Sequence, residues 1–201
     1  IDIIKDNFKL FGFLEIETPA LEKNSTLLGK YGNEGDRLVF KILNSGDKVK
    51  KADINSLKQN NLSAFTDSIS EKGLRYDLTV PLARFVAQHQ NELVFPFKRY
   101  QIQNVWRADR PQHGRFQEFT QCDADVIGPK SIIQEIELIK LYDAVFSQLG
   151  FNDIIFKINH RSILTALANY IGAQNKLNEF ISIIDKIDKI DITFNVFSDT
   201  P

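Results

Sequence analysis

Apolar residues recur along the chain in two rhythms, one helical and one alternating, and the predicted elements follow from where each rhythm holds. Ile1, Ile4, Phe8 and Phe11 stand at helical spacing with Lys5, Asp6 and Lys9 between them, and Gly12 is placed to stop the turn. This predicts an amphipathic helix packed on a sheet, followed by a short strand from Phe13 into Pro19. Leu38 to Leu43 is an apolar run between glycine and asparagine turns, which predicts strand and turn. Lys48 to Ser70 is polar and weakly periodic, and is expected to be a mobile loop or a place where residues are absent. Thr79 to Gln90 predicts a helix opening near Pro81, since proline is tolerated in a first turn.

The stretch FKRYQIQNVWRADRPQHGRFQEFTQCDADVIG, Phe97 to Gly128, reads as two antiparallel strands joined by the basic loop RPQHGR. After it, Ile132, Ile133, Ile136, Ile139, Tyr142, Phe146 and Leu149 recur at helical spacing up to Gly150. Asp153 to Asn159 predicts a further strand, and two shorter helices are expected between Ser162 and Lys189. The near-duplicate IDKIDKID from Ile184 is too short to be a repeat. A hairpin at the centre and few strand–helix–strand signals favour an α+β fold, an antiparallel sheet flanked by helices.

Two constellations in this pattern carry chemistry. In the second strand of the hairpin, Phe119, Gln121, Asp123 and Asp125 share one face, because successive side chains point to opposite sides. At roughly 3.3 Å per residue, Phe119 and Asp125 lie about 20 Å apart, room for an adenine at one end and a small polar molecule at the other. Arg107 and Asp109 close the first strand, and the loop adds Arg110, His113, Gly114 and Arg115, a set suited to a triphosphate. The plain alternative is a charged hairpin with a solvated tip and an Arg107–Asp109 cross-strand ion pair, worth little at a surface. In LRYDLTVPLARF, an extended Arg75–Thr79 run puts Arg75, Asp77 and Thr79 on a common face, where Asp77 and Thr79 would receive an ammonium group. Thr79 also reads as a helix cap and Phe119 as a core aromatic.

Taken in order with FGFLEIETPALE, Phe11 to Glu22, these segments closely resemble the class II aminoacyl-tRNA synthetases, and within them the histidyl-tRNA synthetase family. The resemblance covers nearly the whole chain. Phe13 to Pro19 is similar to the family's first motif, at the dimer interface, and Phe97 to Gly128 to its second, which builds the ATP site. LRYDLTVP and QCDAD resemble the histidine branch that carries Asp77 where many bacterial relatives carry glutamate. The resemblance implies a class II catalytic core, a homodimer through Phe11–Glu22, and two steps: histidine attacks the α-phosphate of ATP, and a tRNA terminal hydroxyl then takes the acyl group. It implies that Arg107 bridges the substrate carboxylate and the α-phosphate. Asp109 is implied to lie near the adenine amino group, Arg115 to meet the outer phosphates, and Phe119 to lie under the adenine. Asp77, Thr79 and Gln121 are implied to surround the α-amino group, with Asp125 facing the imidazole. Asp123 is expected to be a supporting or solvated carboxylate.

The resemblance also implies that the later histidine motif, the third-motif arginine and the anticodon-binding domain are not among residues 1–201, an incomplete catalytic domain. The chain starts inside a helical pattern and contains no methionine, and omitted or replaced methionines or missing mobile segments are expected to account for this. Two rival readings share the fold: a regulatory subunit of ATP phosphoribosyltransferase without aminoacylation, and a synthetase-like domain that senses uncharged tRNA. The joint presence of Asp77, Arg107, Gln121 and Asp125 argues against the first, and histidine-dependent pyrophosphate exchange discriminates both from the enzyme.

Composition changes this picture little. A length of 201 residues with 43% hydrophobic content is enough for one sizeable core. The net charge of -1 excludes an overall basic field, so contact with tRNA must come from local patches or other segments. Cys122 is the single cysteine, which excludes an intramolecular disulfide, fits a reducing, cytoplasmic setting, and reads as a packed thiol. No apolar run approaches the roughly 18 to 20 residues of a membrane span, and no signal peptide is visible. His89 and His113 are expected to face solvent and His160 to sit in a turn. None has a partner at metal-site spacing, so no structural metal is expected, and Mg²⁺ is expected to arrive with ATP.

Overall fold

The computed structural model describes residues 1–184 apart from positions 31, 129 and 152, and only the backbone at positions 33 and 34. It divides into two units, Ile1–Ile154 and Ile155–Pro201. In the first unit α1 (Asp2–Leu10) leads into β1 (Leu14–Glu15), β2 (Leu21–Lys23) and the short α2 (Asn24–Leu27) and α3 (Gly32–Arg37). β3 (Lys41–Ile42), a 3₁₀ turn, α4 (Ile54–Lys58), α5 (Leu62–Ile69) and β4 (Lys72–Leu74) follow. α6 (Thr79–His89), the long strands β5 (Phe97–Trp106) and β6 (Glu118–Ile127), and α7 (Ile133–Gln148) complete it.

The fold is α+β, with small sheets flanked by helices. In one sheet β5 is central, antiparallel to β6 and parallel to β1. The other runs in the order β2-β4-β3 with both pairs antiparallel. The hairpin predicted for Phe97–Gly128 is present, in a register that sets Phe97 opposite Ile127 and Trp106 opposite Glu118.

That register sorts the hairpin into two faces. Tyr100, Ile102, Cys122, Ala124 and Val126 lie on one, packed on Phe8, Phe13, Leu141 and Val145 from α1, the following turn and α7. Phe8 sits with its ring centroid 5.2 Å from that of Tyr100. Removing side chains of this size from water stabilises the fold by about 1.5–3 kcal/mol each, so this cluster fixes the sheet against the helices. The other face carries Arg99, Gln101, Gln103 and Val105 beside Asp125, Asp123, Gln121 and Phe119.

Several sequence expectations are corrected. Lys48–Ser70 is not a structureless loop: Asp53 and Asn61 accept hydrogen bonds from the Ser56 and Ala64 amides and start α4 and α5, short helices whose local caps outweigh a weak period. The strand expected over Leu38–Leu43 is confined to Lys41–Ile42, and helix α3 precedes it. Arg75–Thr79 is not extended either. The chain bends after β4, Asp77 Oδ1 accepts hydrogen bonds from the Thr79 and Val80 amides, and Arg75 turns inward, 2% exposed. There its Nη1 donates to the Thr18 carbonyl at 2.6 Å and its Nε to the Asn104 carbonyl at 2.8 Å.

Helix α7 lies where its period predicts but buries a different stripe. Leu141 and Val145 are buried and Leu138 partly so, whereas Ile132 and Ile133 are 76% and 66% exposed. Apolar residues occur on every side of the helix, interspersed with Gln134, Glu135, Glu137, Lys140 and Asp143, so the period alone cannot choose a face, and contact with α1 and β6 does. Asp153–Asn159 forms no strand, because a strand needs a neighbour to pair its backbone groups and none lies beside it among the described residues. In the second unit α8 (Arg161–Tyr170) is capped by His160, whose Nδ1 accepts from the Ser162 amide at 3.2 Å, and α9 (Leu177–Ile184) follows. The repeat-like segment from Ile184 lies almost wholly outside the described residues.

Candidate nucleotide and amino-acid site

The end of β5 is held from several sides. The Trp106 amide donates to the Arg75 carbonyl, the Arg107 amide to the Gln117 carbonyl at 2.9 Å, and the Ala108 amide to the Leu38 carbonyl at 2.8 Å. The strand ends at Trp106, one residue short of Arg107, so Arg107 sits where the ladder gives way to the loop. The loop is closed by the Arg115 amide, which donates to the Gln112 carbonyl at 2.9 Å, a turn that Gly114 permits with φ of +75°.

These anchors shape an open cleft of about 690 Å³, lined by Tyr76, Arg107, Asp109, Arg115, Phe116 and Phe119, with Gly35 and Leu38 on its wall. The volume lies in the range of small-molecule sites. All four residues expected to meet a nucleotide, Arg107, Asp109, Arg115 and Phe119, are therefore brought together. Arg107 stacks with its guanidinium carbon 4.4 Å from the Tyr76 ring centroid and 5.1 Å from that of Phe119, and its Nε donates to the Tyr76 carbonyl at 3.1 Å. No ion pair joins Arg107 to Asp109 among the described residues, so the cross-strand pair considered above does not form.

Asp77, Thr79, Gln121 and Asp125 do not line this cleft. Gln121 and Asp125 continue along the same face of β6, beyond Phe119. There Gln121 Oε1 is buried with no hydrogen-bond partner among the described residues, an acceptor shaped to receive an N–H donor. Asp125 Oδ2 lies 2.6 Å from Arg99 Nη2, and Arg99 is wholly buried. Burial pulls the Arg99 guanidinium down from its ordinary value, while the charges of Asp125, Asp123 and Asp77 push it back up. Asp77 is thus electrically part of the group even though it caps α6. Burial pushes the Asp123 carboxyl up, Arg99 and Arg107 oppose this, and Asp125 and Asp77 reinforce it. Arg107 is in this way felt from both the cleft and the carboxylate cluster. Thr79 is exposed at the first turn of α6, where its amide donates to Asp77.

Cys122 faces the core, and burial raises its thiol. His113 is exposed and His89 sits 3.0 Å from Glu92 at the surface. Sequence reasoning passed over Tyr76, Phe116 and Arg99. Tyr76 was hidden by the assumption of alternation between Arg75 and Asp77; the bend after β4 brings it into the cleft instead. Arg99 carried a usable signal, since it stands on the same strand parity as Gln121 and Asp125 once the hairpin register is known.

The fold is shared with known proteins. The structure superposes on histidyl-tRNA synthetase from Nostoc sp. PCC 7120 with a TM-score of 0.71 and 29% identity, over 94% of this chain and 37% of that one. It also superposes on a protein of Bacillus halodurans described as ATP phosphoribosyltransferase regulatory subunit/histidyl-tRNA synthetase, with a TM-score of 0.66 and 22% identity over 96% of this chain and 46% of that one. At that identity the likeness shows the fold alone. The fold is that of a class II aminoacyl-tRNA synthetase catalytic core. A family model described as histidyl-tRNA synthetase matches residues 51–194. A histidine–tRNA ligase of Christiangramia forsetii is 62% identical over 93% of this chain and 41% of its own length. The chain belongs to the histidyl-tRNA synthetase family, and spans about two fifths of the length of the curated relatives it matches.

Proposed function

We propose that residues 1–201 are the N-terminal part of the catalytic domain of a histidine–tRNA ligase, which activates histidine with ATP and passes it to the 3′ end of its tRNA. The observation that carries this reading is the position of Arg107, whose guanidinium lines the nucleotide cleft beside Phe119, on the strand face that continues to Gln121 and Asp125. A group so placed is suited to the point where a bound amino acid meets the α-phosphate.

The chemistry follows from the groups present. The substrate carboxylate attacks phosphorus, so neither step requires a protein nucleophile. What the site must supply is orientation of two anions and neutralisation of charge on the five-coordinate phosphorus. Arg107 supplies a planar, permanently charged fork for both anions, and Arg115 a second cation for the outer phosphates. Phe119 offers a face to the adenine and Asp109 an acceptor to its amino group. At the other end the unpartnered Gln121 Oε1, with Asp77 and Thr79, receives the α-ammonium, and Asp125 accepts the imidazole N–H. A carboxylate that pairs a ring N–H in a closed site rejects apolar side chains of similar bulk, because its acceptor would be left unpaired. Mg²⁺ enters with the nucleotide, held mainly by phosphate oxygens; no resident metal is required.

The protein works as a homodimer in the cytoplasm, with the Phe11–Glu22 segment at the two-fold interface. The large apolar side chains of Leu14 and Leu21, 62% and 46% exposed, support this placement. No helix among the described residues is long and apolar enough to cross a membrane. The decisive experiment is histidine-dependent exchange of pyrophosphate into ATP by the full-length protein. Histidine binding with no exchange would favour the regulatory-subunit reading instead.

A further inference from the structure

Arg99 has no part in the chemistry described so far, yet it heads the fully buried side chains by size. It occupies the middle of the sheet, with Leu14 of β1 on one side and Asp125 of β6 on the other. A guanidinium in such a place loses its hydration and is expensive to keep, and well-packed apolar residues commonly serve the fold as well or better. Its partners explain what is gained. Nη2 meets Asp125 Oδ2 at 2.6 Å, while Nη1 makes only a long contact of 3.4 Å to Gln101 Oε1. Nε has no hydrogen-bond partner among the described residues, and neither has Nη2, whose 2.6 Å approach to Asp125 is an ion pair rather than an aligned hydrogen bond. Among the described residues the one close polar contact of the Arg99 side chain is therefore with the carboxylate at the amino-acid end of the site.

The two sides of that pair differ in access. Arg99 is fully buried, whereas the Asp125 side chain is 37% exposed. Arg99 is thus sealed from any substrate and acts only through the carboxylate, which stays reachable from the site. An aspartate on a strand has two free torsions. One oxygen held beside a fixed cation restricts both, while the Asp125 side chain keeps part of its surface open. Surface pairs hold such geometry poorly because both partners move, but here one partner is immobilised by burial.

We propose that Arg99 is a positioning residue for substrate selection: its ion pair holds Asp125 in the orientation that accepts the imidazole N–H, and so sets discrimination for histidine. This rests on the reading of Asp125 as the imidazole acceptor. It predicts that Arg99 and Asp125 behave as one unit towards histidine and are silent towards ATP.

The test uses the full-length protein with Arg99→Met, which keeps length without charge, and Arg99→Gln, which keeps a polar group beside Gln101 and serves where the methionine variant does not fold. Each is made alone and with Asp125→Asn, and pyrophosphate exchange is measured against histidine and ATP separately, with calorimetric histidine binding alongside. The expected result is a rise of about tenfold or more in the histidine KM with the ATP KM within about twofold, and little further rise when the Arg99 change is added to Asp125→Asn. Equal rises for both substrates would mean a merely structural role and overturn the proposal. So would Arg99 and Asp125 effects that multiply independently. A wild-type protein that binds histidine without exchanging pyrophosphate would overturn the activation reading but leave the Arg99 comparison readable in the histidine Kd.

Discussion

The Arg107 guanidinium lies between two aromatic rings, 4.4 Å from the centroid of Tyr76 and 5.1 Å from that of Phe119. A flat, delocalised cation suits this slot, and its charge can then be presented edge-on to an anion without a change of rotamer. Arg107→Ala is expected to lower histidine-dependent pyrophosphate exchange by a hundred- to a thousand-fold, on the order of 2.7–4 kcal/mol, with the thermal midpoint little changed. Arg107→Lys is expected to recover little, since an ammonium neither stacks nor forks. Exchange within a few-fold of wild type at saturating substrates would count against the assignment.

Phe119 and Asp125 occupy the two ends of one strand face and are expected to separate the substrates. Asp125→Ala raises the histidine KM far more than that for ATP, and Phe119→Ala does the reverse. Kinetics of both variants against both substrates check the layout; equal weakening of ATP and histidine by each change would refute it.

Asp123 offers a test through pH. Its carboxyl is raised, chiefly by burial, so the folded state holds the proton more tightly than the unfolded chain, whose carboxyl stays near its ordinary value of 3.8. Stability that Asp123 contributes when protonated is therefore lost as pH rises from near that value through the raised folded one. Asp123→Asn keeps the shape without the titration. Its stability relative to wild type is expected to improve as pH climbs from about 4 to neutrality, in the window opened by the raised carboxyl. Urea melts of both proteins across that range read the difference, and a gap that does not change with pH would dismiss the burial argument.

Gly73 is required by a close approach. A Cβ added there would lie 2.9 Å from the Phe40 carbonyl oxygen and 3.0 Å from both Asn24 Oδ1 and Val39 Cγ1. Backbone on one side leaves little room to relax, and Gly73→Ala is expected to cost about 1–3 kcal/mol of stability. Denaturant unfolding measures this directly.

The proposed interface predicts its own disruption. Leu14→Asp with Leu21→Asp is expected to convert a dimer to monomers, because in an isologous contact each change is felt twice. Sedimentation of the full-length protein checks this, and a fully active wild-type monomer at micromolar concentration would argue decisively against the placement.

The local pattern by itself determined the hairpin, because ten-residue strands with alternating chemistry on either side of a glycine-bearing basic loop leave few other arrangements. It likewise determined α1, α6 and the position of α7, whose periods are long enough to be read without neighbours. From the hairpin alone followed the grouping of Phe119, Gln121, Asp123 and Asp125 on one face, since alternation is a property of the strand itself. Matters that depend on a second element were settled by packing and pairing. The buried stripe of α7 was set by α1 and β6, as a helix with apolar residues on every side carries no preference of its own. Asp153–Asn159 has strand composition but no partner among the described residues, so it forms no ladder there. The bend after β4 turned Arg75 into the core and Tyr76 into the cleft, an outcome of caps and packing that overrides alternation in so short a run. Arg99 gained its meaning only through register, because which carboxylate it meets depends on how β5 and β6 are paired across the sheet.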